Sequence, residues 1–443
     1  MSKKPDLRVG IVSDVHVGFT LHYDPRYYGL GQPGSQEKWL AYTLQCLKAK
    51  GVDAVMVVGD FCNACDYTGK GRHKEVSEGE LRRFGEIFRE VFAGTDTRLI
   101  GVYGNHDSGL LAEEPACGGH RSHWQEAFGE PFSRVMCYEI NGYSFVGAHW
   151  GLEAEAGPVV AEKAAAANGK PVFYLQHGAF QGTTPDGDPA YLFETNEQGV
   201  NNVRAWENVV AFSGHTHFPI TDERAIWQSA EEGQPRCTVV SCSTLNYGCV
   251  ADGSLSGENL QTKHALYMTV SDHEVCFERL SFWTEEMLAL ASGEKTEPDI
   301  ARCMRSAGPD WRFTVGGEKI YDPTCRAQEA VAPVFPEGAM VGADCGDTYA
   351  TVKFPAACPL ERPGDFVHSY RAEAVDAAGR VVSAATICTE HHVDGDERRF
   401  SSEYRVAVGG LTPDTPYTFR VYARDCWQKS GKPLTSFVCR TKK

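Results

Sequence analysis

The chain has 443 residues, 42% hydrophobic and 23% charged, with 45 Gly and 22 Pro spread along it. This composition excludes wholesale disorder, and the length exceeds one ordinary core of about 100–200 residues. Lys plus Arg number 43 against 59 Asp plus Glu, and the resulting formal charge of −16 repels polyanions and argues against general nucleic-acid binding.

No window approaches about 20 uninterrupted apolar residues, so no membrane-spanning helix is expected. The opening MSKKPDLRVG has no apolar signal-peptide stretch, and 16 scattered cysteines do not form a short disulfide framework. A cytoplasmic protein with reduced thiols is the expectation.

Up to Ser213, short β-branched runs alternate with helical patterns, the sequence form of a sheet flanked by helices. Strands are predicted at Leu7–Val12, Ala54–Val58, Leu99–Tyr103, Tyr143–Ala148, Val172–Gln176 and Val209–Ser213. A helix from Glu37 to Lys50 carries Trp39, Leu40, Leu44 and Leu47 on one face and stops at Gly51. Ser77 and Glu80 read as a capping box opening a helix lined by Leu81, Phe84, Ile87, Phe88 and Val91. Asn141-Gly142 predicts a two-residue hairpin between Arg134–Ile140 and Tyr143–Ala148. Cys237 to Trp283 reads as strand and turn only, including Ala265–Val270 and Glu274–Leu280, and is expected to form a second sheet.

Residues 284–332 receive no assignment and are expected to act as a connector. From residue 333 onward strand-like runs recur at Tyr349–Phe354, Val367–Val375, Val381–Cys388, Tyr404–Val408, Tyr417–Ala423 and Phe437–Arg440, the pattern of a β-sandwich. Leu411 to Val421, with Pro413, Asp414 and Tyr417, resembles the turn and tyrosine corner of a fibronectin type III domain. That resemblance implies a Tyr417 hydroxyl bonded back to backbone near Leu411.

Polar groups recur at the C-terminal ends of the predicted strands. Asp14 and His16 follow the first, Gly59-Asp60 the second and Asn105-His106-Asp107 the third, while His177 follows Val172–Gln176 and Gly214-His215-Thr216-His217 follows Val209–Ser213. Ligands bind at that edge in α/β folds. Singly, each histidine or aspartate is an ordinary turn or hydrogen-bonded residue; together they point to a metal. Carboxylate, imidazole and amide oxygen suit Mn, Fe or Zn, whereas Mg or Ca would take oxygen alone. Asp14, His16, Asp60, Asn105, His177, His215 and His217 are too many donors for one ion, and two ions sharing a carboxylate would use them. In Asp14-Val15-His16 and His215-Thr216-His217 an extended backbone would send both side chains to one side. Gly59, Gly104 and Gly214 would let the chain bend beneath an ion.

In order and spacing these five blocks resemble the signature of the calcineurin-like metallophosphoesterases, over about residues 7–283. The resemblance implies an α/β fold, a four-layer αββα double β-sandwich, followed here by an all-β fibronectin type III-like sandwich. It implies that Asp14, His16, Asp60 and His217 hold one divalent transition-metal ion and Asp60, Asn105, His177 and His215 the other, with Asp60 bridging. His106 would face the leaving-group oxygen, supported by Asp107. The implied reaction is hydrolysis of a phosphodiester or phosphomonoester by a hydroxide bridging the ions, with a slight lean to diesters because Asn105-His106-Asp107 resembles the phosphodiesterase branch. Asn63 stands three residues after Asp60, where purple acid phosphatases carry tyrosine and the family more often has Asp. A tyrosinate-iron site is therefore not expected, and His106 lacks a charged acceptor there.

Tyr23 and Arg26, after the first block, and Lys70, Arg72 and His73, after the second, would rim the pocket and select the phosphate ester. Cys62 and Cys65 have redox spacing but no second pair to complete a zinc site, and read as loop thiols. His120, His123, His391 and His392 read as surface-loop residues. The expected division is a catalytic domain at 1–283, a connector at 284–332 and a sandwich at 333–443. The sandwich carries no chemical constellation, so protein or carbohydrate contact is its expected role. Two competing readings are a nuclease of the same fold, disfavoured by the charge, and a non-catalytic scaffold or adhesion protein, disfavoured by the complete ligand set.

Overall fold

Short runs of Val, Ile and aromatic residues bounded by Gly, Asp or Asn become strands, because such side chains pack well on a pleated, buried surface. The computed structural model describes residues 5–18, 35–63, 74–114, 122–184, 197–248, 262–358, 366–392 and 400–443. Two compact units, Met1–Pro323 and Thr324–Lys443, divide the chain.

The first unit opens with β1 (Leu7–Val12), α1 (Ser35–Ala49), β2 (Ala54–Val58), α2 (Lys74–Phe92), β3 (Arg98–Val102), α3 (Ser108–Glu113) and α4 (His123–Phe128). It continues through β4 (Val135–Ile140), β5 (Tyr143–Ala148), α5 (Glu153–Ala166), β6 (Val172–Gln176), α6 (Glu197–Val203), β7 (Val209–Ser213), β8 (Ile226–Trp227) and β9 (Thr238–Ser241). β10 (His264–Ser271), β11 (Glu274–Ser281), α7 (Glu285–Ser292), α8 (Ile300–Cys303), β12 (Arg305–Ser306) and β13 (Trp311–Thr314) complete it.

One sheet has the order β12-β11-β10-β1-β2-β3, with β13 also on β11, and the other β4-β5-β6-β7-β9-β8. Side-chain alternation places the layers. Along β6, Phe173 and Leu175 join the core containing the first sheet, while Val172 and Tyr174 pack with Val160 of α5 and Val203 of α6. β7 alternates likewise, with Val210 and Phe212 on one side and Val209 and Ala211 on the other. A Cβ at Gly147 of β5 would lie 2.7 Å from Val102 of β3, so the sheets face each other there; one at Gly10 of β1 would lie 2.7 Å from Leu47, so α1 covers that strand. The unit is the four-layer αββα double sandwich, with strands buried on both faces.

Three local readings are corrected. α2 starts at Lys74, a turn before Ser77, so no capping box forms; the Glu80 carboxylate accepts instead from Asn63 N at 2.9 Å. The strands after Cys237 do not make a sheet of their own: β9 pairs with β7, and β10 with β1. A side-chain period of two marks a strand but not its partner, which is decided by long-range contact. His391 and His392 are buried, and His391 stacks on Phe366 at 4.1 Å.

The hairpin at Asn141-Gly142 forms as read, with φ of 54° and 83° and Ile140 opposite Tyr143. In 284–332, Thr284 caps α7, and β12 and β13 extend the first sheet on β11.

The second unit contains β14 (Gly342–Cys345), β15 (Ala350–Pro355), β16 (Ser369–Val375), β17 (Val381–Cys388), β18 (Glu403–Val408), β19 (Pro416–Arg424), β20 (Leu434–Thr435) and β21 (Cys439–Arg440). β14-β15-β18 and β17-β16-β19-β20 enclose a core including Val352, Phe354, Tyr370, Val406, Phe419 and Val421. The tyrosine-corner bond is present: Thr412 N–H donates to Tyr417 Oη at 3.1 Å. Among the described residues, no helix is long and apolar enough to cross a membrane.

Candidate metal centre

The ends of β1, β2, β3, β6 and β7 bring their polar residues together. Asp14 Oδ1 lies 3.1 Å from His217 Nε2 and 3.8 Å from His177 Nε2. Asp60 Oδ2 lies 3.2 Å from His177 Nε2 and 3.7 Å from His16 Nε2. Asn105 Oδ1 is 3.0 Å from His177 Nε2 and 2.9 Å from His215 Nδ1. His16 Nε2 and His217 Nε2 face each other at 3.3 Å. Asp14, His16 and His217 form one group with metal-ligand spacing, and Asp60, His177 and His215 another; His16, Asp60 and His106 form a third.

The backbone beneath these side chains is unusual. Asp14, His16, Asp60, His215 and His217 all have left-handed φ, between 49° and 66°. For residues with a Cβ this costs about 1–3 kcal/mol each and persists only where the surroundings enforce it. Enforcement is visible: Asp14 N donates to Gly59 O, Val15 N and His16 N to Asp60 O, and His215 N to Asp14 Oδ1. The extended geometry expected for Asp14-Val15-His16 and His215-Thr216-His217 is thus corrected, since left-handed turns aim these side chains. The glycines serve close approach. A Cβ at Gly59 would sit 2.2 Å from His177 Nδ1, and one at Gly104 2.2 Å from Asp60 Oδ1.

Tautomers follow from the partners. His177 Nδ1–H donates to Val58 O and His217 Nδ1–H to Tyr247 O, each at 2.7 Å. In the neutral ring this turns the Nε2 lone pair toward carboxylate oxygens. Acceptor facing acceptor in a buried site calls for a cation between them, and such outer hydrogen bonds orient metal-binding imidazoles. Burial raises the Asp14 pKa and His217 and His177 lower it, with a net position below the usual carboxylate range. Asp60 is held well below that range by His177 and His106 despite burial. Burial opposes a charge on His177, yet Asp60 and Asp14 pull its pKa up to about 10, so a proton stands where a cation would. Burial, then His177, pushes His215 down to about 3, leaving it neutral and able to donate an electron pair.

His106 borders this cluster, edge-on to His16 with ring centroids 4.6 Å apart. Its Nδ1–H donates to Asn63 O at 2.9 Å, so a backbone carbonyl fills the place for which a charged side chain was sought. The Asp107 carboxylate accepts from the amides of Phe61 (3.2 Å), Cys62 (3.0 Å) and Gly104 (2.8 Å), tying the Asp60 loop to the Asn105 loop. Burial, then Asp60, raises it to about 6. Tyr23, Arg26, Lys70, Arg72 and His73 lie outside the described residues.

Several site neighbours escaped the sequence reading. Ser13 Oγ donates to Asp14 Oδ2 at 2.6 Å, and Thr244 Oγ1 donates to Asp14 O at 3.0 Å. Trp150 lies beside His215 and His177, and Tyr247 beside His217. His149-Trp150 follows β5, so the strand-end rule that found the other blocks also pointed here.

A double sandwich with an Asp/His/Asn cluster at the strand ends defines a class of metal-dependent hydrolases. The chain belongs to the calcineurin-like phosphoesterase family, whose model matches residues 7–264. Solved structures similar to it include a purple acid phosphatase from yellow lupin (Lupinus luteus) seeds, 14% identical, with TM-score 0.41, over 72% of this chain and 57% of that one. PhoD is 10% identical with TM-score 0.42, over 72% of each chain. The FN5 domain of Drosophila Lar is 20% identical with TM-score 0.17, over 25% of this chain and 99% of that domain. No curated protein matches the chain.

Proposed function

We propose that the protein hydrolyses phosphate esters, phosphodiesters in preference to monoesters, with two divalent transition-metal ions. Asp14, His16, Asp60 and His217 would hold one ion and Asp60, Asn105, His177 and His215 the other. The observation that carries this reading is Asp60 Oδ2, which faces His177 Nε2 at 3.2 Å and His16 Nε2 at 3.7 Å, so one carboxylate oxygen addresses both histidine sets. Mixed nitrogen and oxygen donors favour Mn, Fe or Zn.

Bound ions would supply Lewis acidity at the phosphoryl oxygens and lower the pKa of a shared water. The chain's own contributions are positional. His177 and His217 are locked by carbonyls, Asp107 holds two ligand loops in register, and His106 stands ready to give a proton or hydrogen bond to the departing oxygen. The buried free thiols Cys46, Cys62, Cys237, Cys242 and Cys303 fit a reducing, cytoplasmic setting. We assign catalysis to residues 1–283 and contact with a protein or carbohydrate to the sandwich beyond 333.

The test is hydrolysis of bis-(p-nitrophenyl) phosphate and p-nitrophenyl phosphate by the full chain supplied with Mn, Fe, Co or Zn. Metal-dependent turnover, higher on the diester, is the expected outcome. Absence of turnover on both with every metal would instead support the non-catalytic scaffold reading.

A further inference from the structure

Two aromatic residues beside the cluster have no part in holding the proposed ions. Trp150 lies 5.1 Å from the ring of His215 at 51° and 5.8 Å from that of His177 at 63°. Tyr247 lies 4.2 Å from His217 at 37° and 6.2 Å from His16 at 29°. Each ring thus adjoins the histidines of a different one of the two proposed ion sites. Both are half-buried, whereas His177 and His217 are buried.

Both rings ride on pinned backbone. Trp150 N donates to Tyr103 O at 3.0 Å, and the adjacent His149 accepts from Tyr103 N at 2.9 Å. This fixes Trp150 to the strand end that delivers Asn105. Tyr247 O receives the His217 Nδ1–H bond at 2.7 Å, and Leu245, two residues earlier, donates to Ser13 O at 3.1 Å. Such side chains are pre-organised walls, able to cover apolar surface with little further loss of conformational freedom.

A phosphodiester centred over two ions directs its two non-bridging oxygens to them and its two organic arms away. We infer that Trp150 and Tyr247 are specificity-determining residues that receive these arms, and that the preferred substrate is a phosphodiester with a planar unsaturated arm, such as an aryl group or a nucleobase. The inference rests on the dinuclear hydrolase reading, because the rings matter to substrate only if phosphorus sits between them.

The test uses the full chain loaded with Mn, and diphenyl phosphate and dimethyl phosphate as probes of equal charge that differ in planar surface. Dissociation constants are measured by competition, and bound metal by elemental analysis. The wild type is expected to bind diphenyl phosphate at least about tenfold more tightly, and Trp150→Ala and Tyr247→Ala each to shrink that ratio about three- to tenfold while keeping the metal. Trp150→Phe and Tyr247→Phe should restore most of it, which a defect in folding would not allow. A ratio unchanged in both alanine variants overturns the inference and leaves the hydrolase reading intact. Loss of metal with a parallel loss of both probes also overturns it, making the rings mere packing for the histidines. If the loaded wild type binds neither phosphate, the hydrolase reading fails and the inference falls with it.

Discussion

His106 and His149 show how one residue type is put to opposite uses. His106 is half-buried at the edge of the cluster, and its Nδ1–H donates to Asn63 O. His106→Ala should keep its metal yet lose about 10²–10⁴-fold in turnover on esters with poor leaving groups, and much less on p-nitrophenyl esters. Equal losses on both, measured as kcat at saturating substrate, would remove it from proton donation. His149 is buried and neutral, accepting from Tyr103 N and donating Nε2–H to Ser133 O, each at 2.9 Å. Burial pushes its pKa from 6.5 down to about 4. Below pH 6.5 the unfolded chain takes up a proton that the folded chain refuses, so stability falls as pH drops from about 6.5 to about 4 and levels off below. Between pH 7 and pH 5 the first unit should therefore lose about 2 kcal/mol more stability in the wild type than in His149→Gln. Denaturant unfolding of the metal-free proteins at the two pH values reads the difference. The candidate donors that the structure brings together were legible in sequence because metal chemistry restricts ligand types. The left-handed φ at Asp14, His16, Asp60, His215 and His217 was not, since those turns are imposed by carbonyls and amides from other strands.

Between elements, a buried polar chain ties the Asp14–His16 loop to α1 and to the start of β10. Lys263 Nζ donates to Gln36 Oε1 at 2.9 Å and Leu245 O at 2.7 Å, and Gln36 Nε2 donates to Val15 O at 2.5 Å and Leu245 O at 3.1 Å. Val15 lies between Asp14 and His16, and Leu245 N donates to Ser13 O, so the chain reaches backbone on both sides of Asp14. Burial pushes Lys263 down to about 7, the sign of a cation kept for its hydrogen bonds in a place that disfavours its charge. Gln36→Leu leaves Val15 O without that donor and should cost about 2 kcal/mol. It should also loosen metal binding, which competition with a chelator reads; unchanged metal retention would limit Gln36 to a structural role. This network was invisible in sequence. Gln36 reads as an ordinary first-turn residue of α1, and only the pairing of β10 with β1 brings Lys263 to it. Periodicity located β1, β2, β5, β6 and β7 because each is a run with both faces buried. It could not say that β10 and β11 belong to the first sheet, nor see β12 and β13, which are two and four residues long.

Each unit has a hydrophobic core of its own, with Phe61, Phe173 and Trp311 among the residues of one and Phe354, Tyr370 and Phe419 among those of the other. Every proposed metal ligand belongs to Met1–Pro323. A ligand that binds only the folded state stabilises the unit that holds it, by about 2.7 kcal/mol when free metal is a hundredfold above its dissociation constant. Unfolding entropy scales with chain length, so in a unit of this size that gain raises the midpoint by roughly 4 °C. Calorimetry of the full chain should thus show two transitions, one moving up by roughly that amount when Mn replaces chelator and one holding still. His217→Ala should reduce the shift without erasing the transition, because the sheets persist when one donor at their edge is lost. A single transition, or two that move together, would mean that the two cores melt as one cooperative body and that the metal's effect is not confined to the unit that carries Asp60.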